Sequence, residues 1–301
     1  MRMSLSIDWL QLHVDCNDVN FKSHYTWLPQ NFQTKQFRKV FKIIFRGEEF
    51  ATCVCDPNSS IIPKNCMLVK FSNRELYGQN IVSMVDDFLN QSNLVYINMT
   101  RIDIAADFNN FKDGLDPHTF IKRFVKAKYL KIGQGKYQIN GSQSFEHTFD
   151  YLRFGSKTSD VNAYLYNKTK EFKEVKDKPY IRERWKQYDL NLTKDIWRLE
   201  VSLKSKGSDY RDKRTGEQMK LNYKDLTKGN FINQYFQSFV QQYFRFVIND
   251  NKCRKDRMQP LVLFDSVYTP FKPSYLPETT GAEKSDKIFL KKLHNLDKEL
   301  R

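Results

Sequence analysis

The chain has 301 residues, of which 40% are hydrophobic and 15% aromatic, so the composition is that of a globular protein and excludes a disordered tail. The 50 Lys and Arg residues against 35 Asp and Glu give a formal charge of +15, which predicts a polyanionic partner, with nucleic acid ahead of a membrane surface. No window approaches the roughly 18 apolar residues that a transmembrane helix needs, and five cysteines without a framework spacing indicate reduced thiols in a cytoplasmic protein.

Alternating apolar residues and β-branched side chains predict strands through the first two thirds of the chain. In chain order they cover residues 5–14, 37–45, 50–55, 66–71, 93–108, 129–139, 146–155, 161–168 and 196–204. Two helices interrupt them, one over "GQNIVSMVDDFLNQ" (78–91) and one that begins at Asp116 and Pro117, since proline is tolerated in a first helical turn. Cys53 and Cys55, with Cys66, have the spacing of no common zinc site, so we assign them to the core of the strands.

The character of the sequence changes after the last of these strands. Residues 205–222 are charged, contain two glycines and predict a connection. Residues 231–248 place aromatic and aliphatic side chains on one helical face, which favours core packing over base stacking. Residues 284–301 predict an amphipathic helix that either docks on the body or pairs with a second chain, and its apolar side carries Phe289, Leu293, Leu296 and Leu300.

The order of elements, strands with a few helices and then helices, predicts an α+β fold. We expect a curved, mostly antiparallel sheet that carries the active site within residues 1–204, a connection over 205–222 and a helical C-terminal part over 223–301. Residues that carry chemistry are therefore expected first on the strands of the sheet.

Two of the predicted strands carry acidic residues in otherwise apolar sequence. In "TRIDIAADF" the alternation of a strand puts Arg101, Asp103 and Asp107 on one face, and in "WRLEVSLK" it aligns Arg198 with Glu200. Charged side chains that face into a sheet are costly unless they pair or bind a metal. Two local Arg–carboxylate pairs that support the fold are one interpretation. A Mg²⁺ or Mn²⁺ site that uses the carboxylate oxygens is the other.

A metal site at these strands would draw on both of them. Asp103 and Asp107 lie four residues apart, about 13 Å along a regular strand, which is too far for one ion. Asp103 is therefore predicted to act with Glu200, while Asp107, at the end of its strand, fits a metal ligand, a cap or a turn equally well.

In "NAYLYNKTKE" (162–171), Tyr166 follows a short apolar run and precedes charged residues. Core packing is the expectation for any single tyrosine of the 16 in the chain. A tyrosine is a poor nucleophile at neutral pH unless a cation helps it, and Lys168 shares its face if the strand continues. Glu171 would come back to the site only through a turn. The chain has no His-x-His pair, no Walker loop, no zinc-hydrolase spacing and no GxSxG, which excludes a histidine-clamped metal site and an NTP-driven motor.

Taken together, these motifs resemble the Rep_trans replication initiation factors of small rolling-circle plasmids of Gram-positive bacteria and the related relaxases of integrative conjugative elements. "TRIDIAADF" is similar to the Arg-x-Asp strand of that family, and "IWRLEVSLK" is similar to its Trp-Arg-x-Glu strand. "RFGSKTSDVNAYLYNKTKE" is similar to the block that runs from a Phe-Gly pair to the active-site tyrosine. One departure is Tyr164, which stands where family members often carry a basic residue.

The resemblance implies a rolling-circle replication initiator, a metal-dependent enzyme that nicks and rejoins DNA at a specific origin through a 5′-phosphotyrosyl bond. Tyr166 takes the place of the nucleophile, with Lys168 and Glu171 beside it, and Asp103 and Glu200, with Asp107 as a further candidate, bind Mg²⁺ or Mn²⁺. Seven basic residues are expected to contact phosphate or DNA: Arg101, Arg198, Lys157, Lys252, Arg254, Lys255 and Arg257. For the last four, in "NKCRKDR", a solvated basic loop is the alternative.

The expected partners are origin DNA, single-stranded or in a hairpin at the nick site, a second copy of the chain in a homodimer, and a host helicase and polymerase. No membrane partner is expected. A conjugative relaxase of the same chemistry is the nearest alternative, but strand patterning from residue 5 leaves no room for the helix-turn-helix that such relatives often carry. A non-catalytic DNA-binding regulator explains the charge equally well and does not need Tyr166. A membrane-surface protein comes third, because the basic residues do not concentrate on one apolar helix.

Overall fold

The computed structural model of the chain describes residues 1–78, 80–133, 136–142, 148–156, 158–174, 177–227 and 230–274. The amphipathic helix predicted over 284–301, with its proposed dimer seam, and Lys157 lie outside the described residues. Among the helices in these ranges, none has both the length and the apolar content that a membrane span requires.

The described chain forms 16 strands and six α-helices, and most of the strands belong to one large sheet. The strands are β1 (Ser4–Asp15), β2 (Thr26–Pro29), β3 (Phe37–Phe45), β4 (Glu48–Pro57), β5 (Cys66–Phe71), β6 (Val95–Phe108), β7 (Tyr129–Lys131), β8 (Tyr137–Ser142), β9 (Thr148–Phe154), β10 (Val161–Asn167), β11 (Trp197–Lys204), β12 (Tyr210–Asp212), β13 (Gln218–Met219), β14 (Phe246–Ile248), β15 (Pro260–Leu261) and β16 (Phe271–Pro273). The helices are α1 (Asn73–Leu76), α2 (Ile81–Gln91), α3 (Pro117–Val125), α4 (Lys168–Glu174), α5 (Pro179–Gln187) and α6 (Phe231–Tyr243).

The main sheet has ten strands in the order β2-β3-β4-β5-β1-β6-β11-β10-β9-β8, and every neighbouring pair is antiparallel. The long strands β1 and β6 pair at its centre. Beside β1 lie β5, β4, β3 and β2, and beside β6 lie β11, β10, β9 and β8, so two half-sheets of similar strand order meet at a central seam. This architecture confirms the predicted α+β fold with a large antiparallel sheet.

The two faces of the sheet differ in polarity, because alternate residues of a strand point to opposite sides. On β6, Ile102, Ile104 and Ala106 face the main core, which also contains aromatic side chains of α2, α3 and α6. The intervening residues Asp103 and Asp107 face the other side. A second, smaller apolar cluster lies against this polar face and consists of Tyr77, Phe172, Ile181, Trp185, Leu190 and Ile196.

Several elements lie where sequence patterns do not predict them, namely β2, α1, α4 and α5. The predicted strand over 129–139 is two strands, β7 and β8, and β7 pairs with β14 in a separate three-stranded sheet. Within the predicted connection over 205–222, β12 pairs with β13 and with β16. Cys53 and Cys55 lie in β4 and Cys66 in β5, all three buried, as the assignment to a strand core requires.

The helix predicted over 231–248 is shorter than its apolar pattern, and its last part was predicted wrongly. It ends at Tyr243, and the chain continues as β14. Phe246 buries its ring against Phe120 and Phe154, with centroids 4.9 and 5.6 Å away. Aromatic residues suit a strand as well as a helix, so cross-strand packing decides the conformation here.

Gly155 directly follows β9 and has a φ of +96°. A Cβ at this position would lie 2.6 Å from Asn162 Oδ1 and 2.9 Å from the Val161 carbonyl oxygen. We expect Gly155→Ala to lower the free energy of unfolding by more than about 2 kcal/mol, because a backbone clash adds to the cost of positive φ. Gly216→Ala is the matched control, since its φ is +73° but nothing lies within 4 Å of the added Cβ. Its cost should be about 1–2 kcal/mol. Urea denaturation measures both losses, and equal losses would contradict the close approach at Gly155.

Candidate active site

The register of three neighbouring strands brings predicted site residues from separate segments onto one face of the sheet. β10 pairs with β11 so that Tyr166 lies opposite Arg198, and β11 pairs with β6 so that Arg198 lies opposite Asp107. Glu200 follows Arg198 by two residues on the same face of β11, and Asp103 lies on that face of β6. Directly opposite residues of antiparallel strands share a face, so these side chains form one polar cluster.

Tyr166 lies at the edge of this cluster and is partly buried. Its hydroxyl donates a hydrogen bond to Glu200 Oε2 at 3.1 Å. Burial, followed by the neighbouring Glu200 charge, raises the pKa of the Tyr166 phenol well above its ordinary value. The phenol is therefore neutral in this arrangement, and its anion forms only if positive charge is added or the proton is accepted by a neighbour.

The strand that carries Tyr166 ends one residue later, and the chain turns directly into α4. The Asn167 side chain accepts a hydrogen bond from the Lys170 N–H at 2.8 Å, as an N-cap residue does. The turn brings the Lys168 ammonium to 5.3 Å from the centre of the Tyr166 ring, and both carboxylate oxygens of Glu171 hold this ammonium, at 2.9 and 2.8 Å. Lys168 therefore lies near Tyr166 as the first residue of a helix, and not on a continued strand. Glu171 lies beside it because the chain turns after β10, as the spacing of the two residues predicted.

Besides Asp107, three carboxylates lie on or beside this face: Asp8, Asp103 and Glu200. Asp103 accepts a hydrogen bond from Arg101 Nε at 2.9 Å, and Asp8 accepts one from Arg198 NH1 at 2.7 Å. Glu200 forms no salt bridge with any side chain in the described ranges. Of the three carboxylates, Glu200 is thus the one without a cationic partner of its own.

The pKa values of Glu200 and Asp8 shift in opposite directions. Burial, followed by the charges of Asp103 and Asp8, raises the pKa of Glu200 to about 8. Burial acts in the same direction on Asp8, but the charges of Arg198 and Lys168 outweigh it and hold the pKa of Asp8 at about 2. The surroundings of Glu200 are short of positive charge, which a bound cation would supply.

The Arg198 guanidinium is fully buried, and it contacts carboxylates and a phenol. Its Nε and NH2 donate to the two oxygens of Asp107 at 2.6 and 2.7 Å, and its NH1 donates to Asp8 at 2.7 Å. NH2 also donates to the Tyr77 hydroxyl at 2.7 Å, and Trp185 Nε1 donates to Asp107 at 2.7 Å. Both oxygens of Asp107 are thus engaged in a buried ion pair. Arg198 was predicted either to pair with carboxylates or to contact phosphate, and in the structure it pairs with carboxylates.

Sequence patterns do not predict Asp8, although its carboxylate completes the shell of the buried arginine. The register of β1 against β6 shifts between Ile7 and Trp9, which marks a β-bulge at Asp8. A bulge adds one residue to a strand and re-aims its side chains, so strict alternation misplaces the residue. Asp8 could have been identified as a charged residue inside an apolar strand, which is how Asp103 was identified.

The remaining basic residues with a predicted DNA contact lie on another part of the molecule. Lys252, Arg254, Lys255 and Arg257 are exposed in the loop between β14 and β15, outside the ten-stranded sheet. None of them takes part in the contacts around Tyr166 described above. Their contact with DNA stays a prediction for a separate surface.

The donor atoms at the site fit a hard divalent cation with an incomplete protein shell. Within the part of the chain that the structure describes, no group of three or more His, Cys, Asp or Glu side chains has the arrangement of a metal site. A Mg²⁺ or Mn²⁺ site on Asp103 and Glu200 stays a prediction, in keeping with the habit of Mg²⁺ to take one or two carboxylates and complete its shell with water and substrate phosphates. Burial, followed by the charges of Asp103 and Asp8, raises the pKa of Glu200, and a bound cation would act against this shift.

No family model matches the sequence, and no curated protein matches it. One solved structure that aligns with the chain is a rolling circle replication initiator protein from Geobacillus stearothermophilus, with 14% sequence identity and a TM-score of 0.48 over 86% of this chain and 92% of that chain.

Arg198→Met removes the buried cation that Asp107 and Asp8 share. We expect the free energy of unfolding to fall by about 3–5 kcal/mol, because two buried carboxylates lose their partner. Arg182→Met is the matched control, since Arg182 pairs with Asp177 at 2.9 Å on the surface and should contribute less than about 1 kcal/mol. Urea denaturation measures both values. Similar losses for the two variants would contradict the central role of the buried ion pair.

The raised pKa of Glu200 predicts a pH-dependent stability. The carboxyl ionises near 4.5 in the unfolded chain but stays protonated up to about pH 8 in the folded chain. Between these values the unfolded state binds fewer protons than the folded state, so the contribution of Glu200 to the free energy of unfolding falls as the pH rises. Glu200→Gln should therefore gain stability relative to wild type between about pH 5 and pH 8, as urea denaturation across that range will test. A difference that does not vary with pH would rule out the raised pKa.

Proposed function

We propose that the protein is a DNA strand transferase in which Tyr166 attacks a phosphodiester. The observation that carries this proposal is the hydrogen bond of 3.1 Å from the Tyr166 hydroxyl to Glu200. A weak nucleophile needs a proton acceptor in contact and a cation nearby, and here Glu200 and the ammonium of Lys168 have those positions. The formal charge of +15 supports a polyanionic substrate.

The proposed reaction is a transesterification. The Tyr166 oxygen loses its proton, attacks the phosphorus and forms a phosphotyrosyl bond to the 5′ side of the nick. The bond from phosphorus to the 3′ oxygen breaks, and this oxygen gains a proton to become a free 3′-hydroxyl. Attack of a 3′-hydroxyl on the phosphotyrosyl bond reverses the step and rejoins the strand, so neither water nor a nucleoside triphosphate is consumed.

Glu200 can accept the phenolic proton only in its ionised form. With a pKa of about 8, its carboxyl is mostly protonated near neutral pH unless positive charge is added. Asp103 and Glu200 would hold Mg²⁺ or Mn²⁺, and the ion would supply this charge and neutralise charge on the scissile phosphate. Asp107 is assigned to the buried ion pair with Arg198, since its oxygens accept three hydrogen bonds from the buried Arg198 and Trp185 side chains. Each oxygen of Asp103 accepts one bond from the partly exposed Arg101, which leaves a lone pair on each oxygen for the metal.

Two cations have separate tasks in the proposal, one beside Tyr166 and the other beside Asp103. Lys168 lies near the Tyr166 ring and stabilises the phenolate, and Glu171 fixes the position of its ammonium. Burial, followed by the Arg198 charge, lowers the pKa of Lys168, which makes the contact with Glu171 important for keeping it charged. Arg101 orients Asp103 through its bidentate contact.

The proposed role of this chemistry is the initiation of rolling-circle replication of a plasmid, and the joint motif pattern around Asp103, Tyr166 and Glu200 supports it. The substrate is origin DNA, single-stranded or in a hairpin at the nick. The freed 3′-hydroxyl would prime a host polymerase, with a host helicase opening the duplex, and the initiator would act as a homodimer. Nicking for conjugal transfer is the alternative with the same site.

Tyr166→Phe removes the attacking oxygen and leaves the fold intact, so we expect origin nicking to fall by at least about 10³-fold while DNA binding is unchanged. The assay is conversion of a supercoiled plasmid that carries the element's own origin to nicked circles, with Mn²⁺ or Mg²⁺, together with detection of protein attached to a 5′ end. Tyr164→Phe is the matched control, because Tyr164 is the neighbouring tyrosine on the same face of β10.

The outcomes of this assay separate the competing functions. Nicking and attachment by wild type and Tyr164→Phe, but not by Tyr166→Phe, support the nucleophile. Tight DNA binding by all three proteins without any cleavage in the presence of the metal would identify a non-catalytic DNA-binding regulator. Cleavage that persists in excess chelator would remove the metal from the proposal.

A further inference from the structure

Beside the Tyr166 cluster, two cations lie over one indole ring. Lys70 Nζ is 3.6 Å from the centre of the Trp9 ring, and the guanidinium carbon of Arg101 is 3.9 Å from it. Lys70 comes from β5 and Arg101 from β6, the two neighbours of β1, so the cations approach Trp9 from its two sides. We refer to Lys70, Trp9 and Arg101 as the cation shelf.

The strand register fixes the cation shelf on the same face as the candidate active site. Gln11 of β1 pairs with Lys70 of β5 and also with Arg101 of β6. Trp9, two residues before Gln11, pairs with Asp103. Because opposite residues share a face, the shelf borders the carboxylates directly.

The shelf carries more positive charge than the surrounding side chains neutralise. Arg101 donates to Asp103 through Nε and NH2, which leaves its NH1 outside that pair. Lys70 forms no salt bridge with a carboxylate in the described ranges, and burial, followed by the Arg101 charge, lowers its pKa. Two cations held this close repel each other, and an anion that contacts both would relieve the repulsion.

The indole is placed to hold the two cations. Trp9 Nε1 has no hydrogen-bond acceptor among the described residues, so packing and the cations fix the ring. A cation over an indole is attracted to the ring and is restrained before any ligand binds. Restrained cations lower the entropic cost of binding a phosphate. A nucleobase could stack on Trp9 only by displacing one of them.

Lys70 also faces space that a ligand can enter. It lines a surface groove of about 280 Å³, whose other charged residues are Glu48, Glu49, Arg74 and Lys178. Glu48 pairs with Arg74 at 2.6 Å, and Glu49 pairs outside the groove with Lys42 at 2.8 Å. Lys70 and Lys178 form no salt bridge within the described ranges, so the groove continues the positive charge of the shelf.

We propose that the cation shelf binds a phosphate of single-stranded DNA that flanks the phosphate attacked by Tyr166. This subsite deepens the proposed function and rests on it for the identity of the nucleic acid. From β5 to β11 there are three strand spacings of about 4.8 Å, so Lys70 lies about 14 Å from the strand of Glu200. At about 3.4 Å per stacked nucleotide, the shelf contacts the strand within about four nucleotides of the nick.

The test uses a fluorescein-labelled oligodeoxythymidine 20-mer and the full chain carrying Tyr166→Phe, which prevents covalent attachment. Adding Lys70→Gln should weaken binding about tenfold, since a charge-assisted contact to phosphate is lost. The slope of log K against log salt concentration should become shallower by about 0.7, the value for one phosphate contact to a single strand. Fluorescence anisotropy between about 50 and 200 mM salt measures both.

Lys122→Gln in the same Tyr166→Phe chain is the matched control. Lys122 is exposed on α3, which packs against the apolar face of the sheet, and its loss removes the same charge from the opposite side. Its affinity and salt slope should stay close to those of the parent. Equal effects of Lys70→Gln and Lys122→Gln would overturn the subsite.

Two further variants separate the subsite from a folding defect. Lys70→Arg keeps a cation over Trp9 and should restore most of the affinity. Trp9→Leu keeps the net charge but removes the ring that restrains Lys70 and Arg101. It should weaken DNA binding with little change in the salt slope. Urea denaturation confirms that each variant is folded. Failure of Lys70→Arg to restore binding in a folded protein would overturn the proposal. The anisotropy assay measures DNA binding without cleavage, so it tests the subsite alone. The plasmid assay tests the nicking proposal separately.

Discussion

One buried guanidinium, that of Arg198, determines how the candidate active site is assembled. A charge that is removed from water is tolerated only where its donors are paired, and Arg198 is paired with Asp107 from β6 and Asp8 from β1. These contacts join three strands across the seam between the half-sheets. Tyr77, which follows α1, and Trp185 of α5 extend the same network to the helices on the polar face. A shift of β11 by one residue would leave all of these groups unpaired, so the ion pair fixes the register.

The fixed register has a chemical consequence for the neighbours of Arg198. Glu200 follows it on the same face, and Tyr166 lies opposite it on β10, so the nucleophile and the carboxylate meet within hydrogen-bond distance. Both nearby arginines pair with other carboxylates. Arg198 donates hydrogen bonds to Asp8 and Asp107, and Arg101 donates to Asp103. Burial in this sheet, followed by the charges of Asp103 and Asp8, leaves Glu200 with a raised pKa. The stability of the sheet and the reactivity proposed for the site therefore depend on one distribution of charge.

How much of this could be predicted depends on whether a residue departs visibly from its local pattern. Asp103 and Glu200 are charged residues in apolar strands, and alternation alone placed each on the polar face. Their cross-strand partners could not be predicted, because the pairing of β6 with β11 joins distant segments and no local pattern encodes that register. Asp8 was missed because a bulge breaks the alternation of β1. Helix α5 was missed because it buries only two side chains, Ile181 and Trp185, too few for a recognisable helical period.

The two half-sheets have similar strand orders but different chemistry on the polar face. β5 and β11 occupy equivalent positions, each next to a long central strand, yet β5 presents Lys70 and β11 presents Glu200. A polyanion that crosses the seam would meet paired cations around Trp9 on one side and a carboxylate of raised pKa beside Tyr166 on the other. In the proposal, Lys70 and Arg101 would neutralise a phosphate at Trp9, whereas Glu200 has no cationic partner of its own to offer the next position. On this proposal the strand would be held at one position and short of positive charge at the next, where an added cation and the nucleophile would act together.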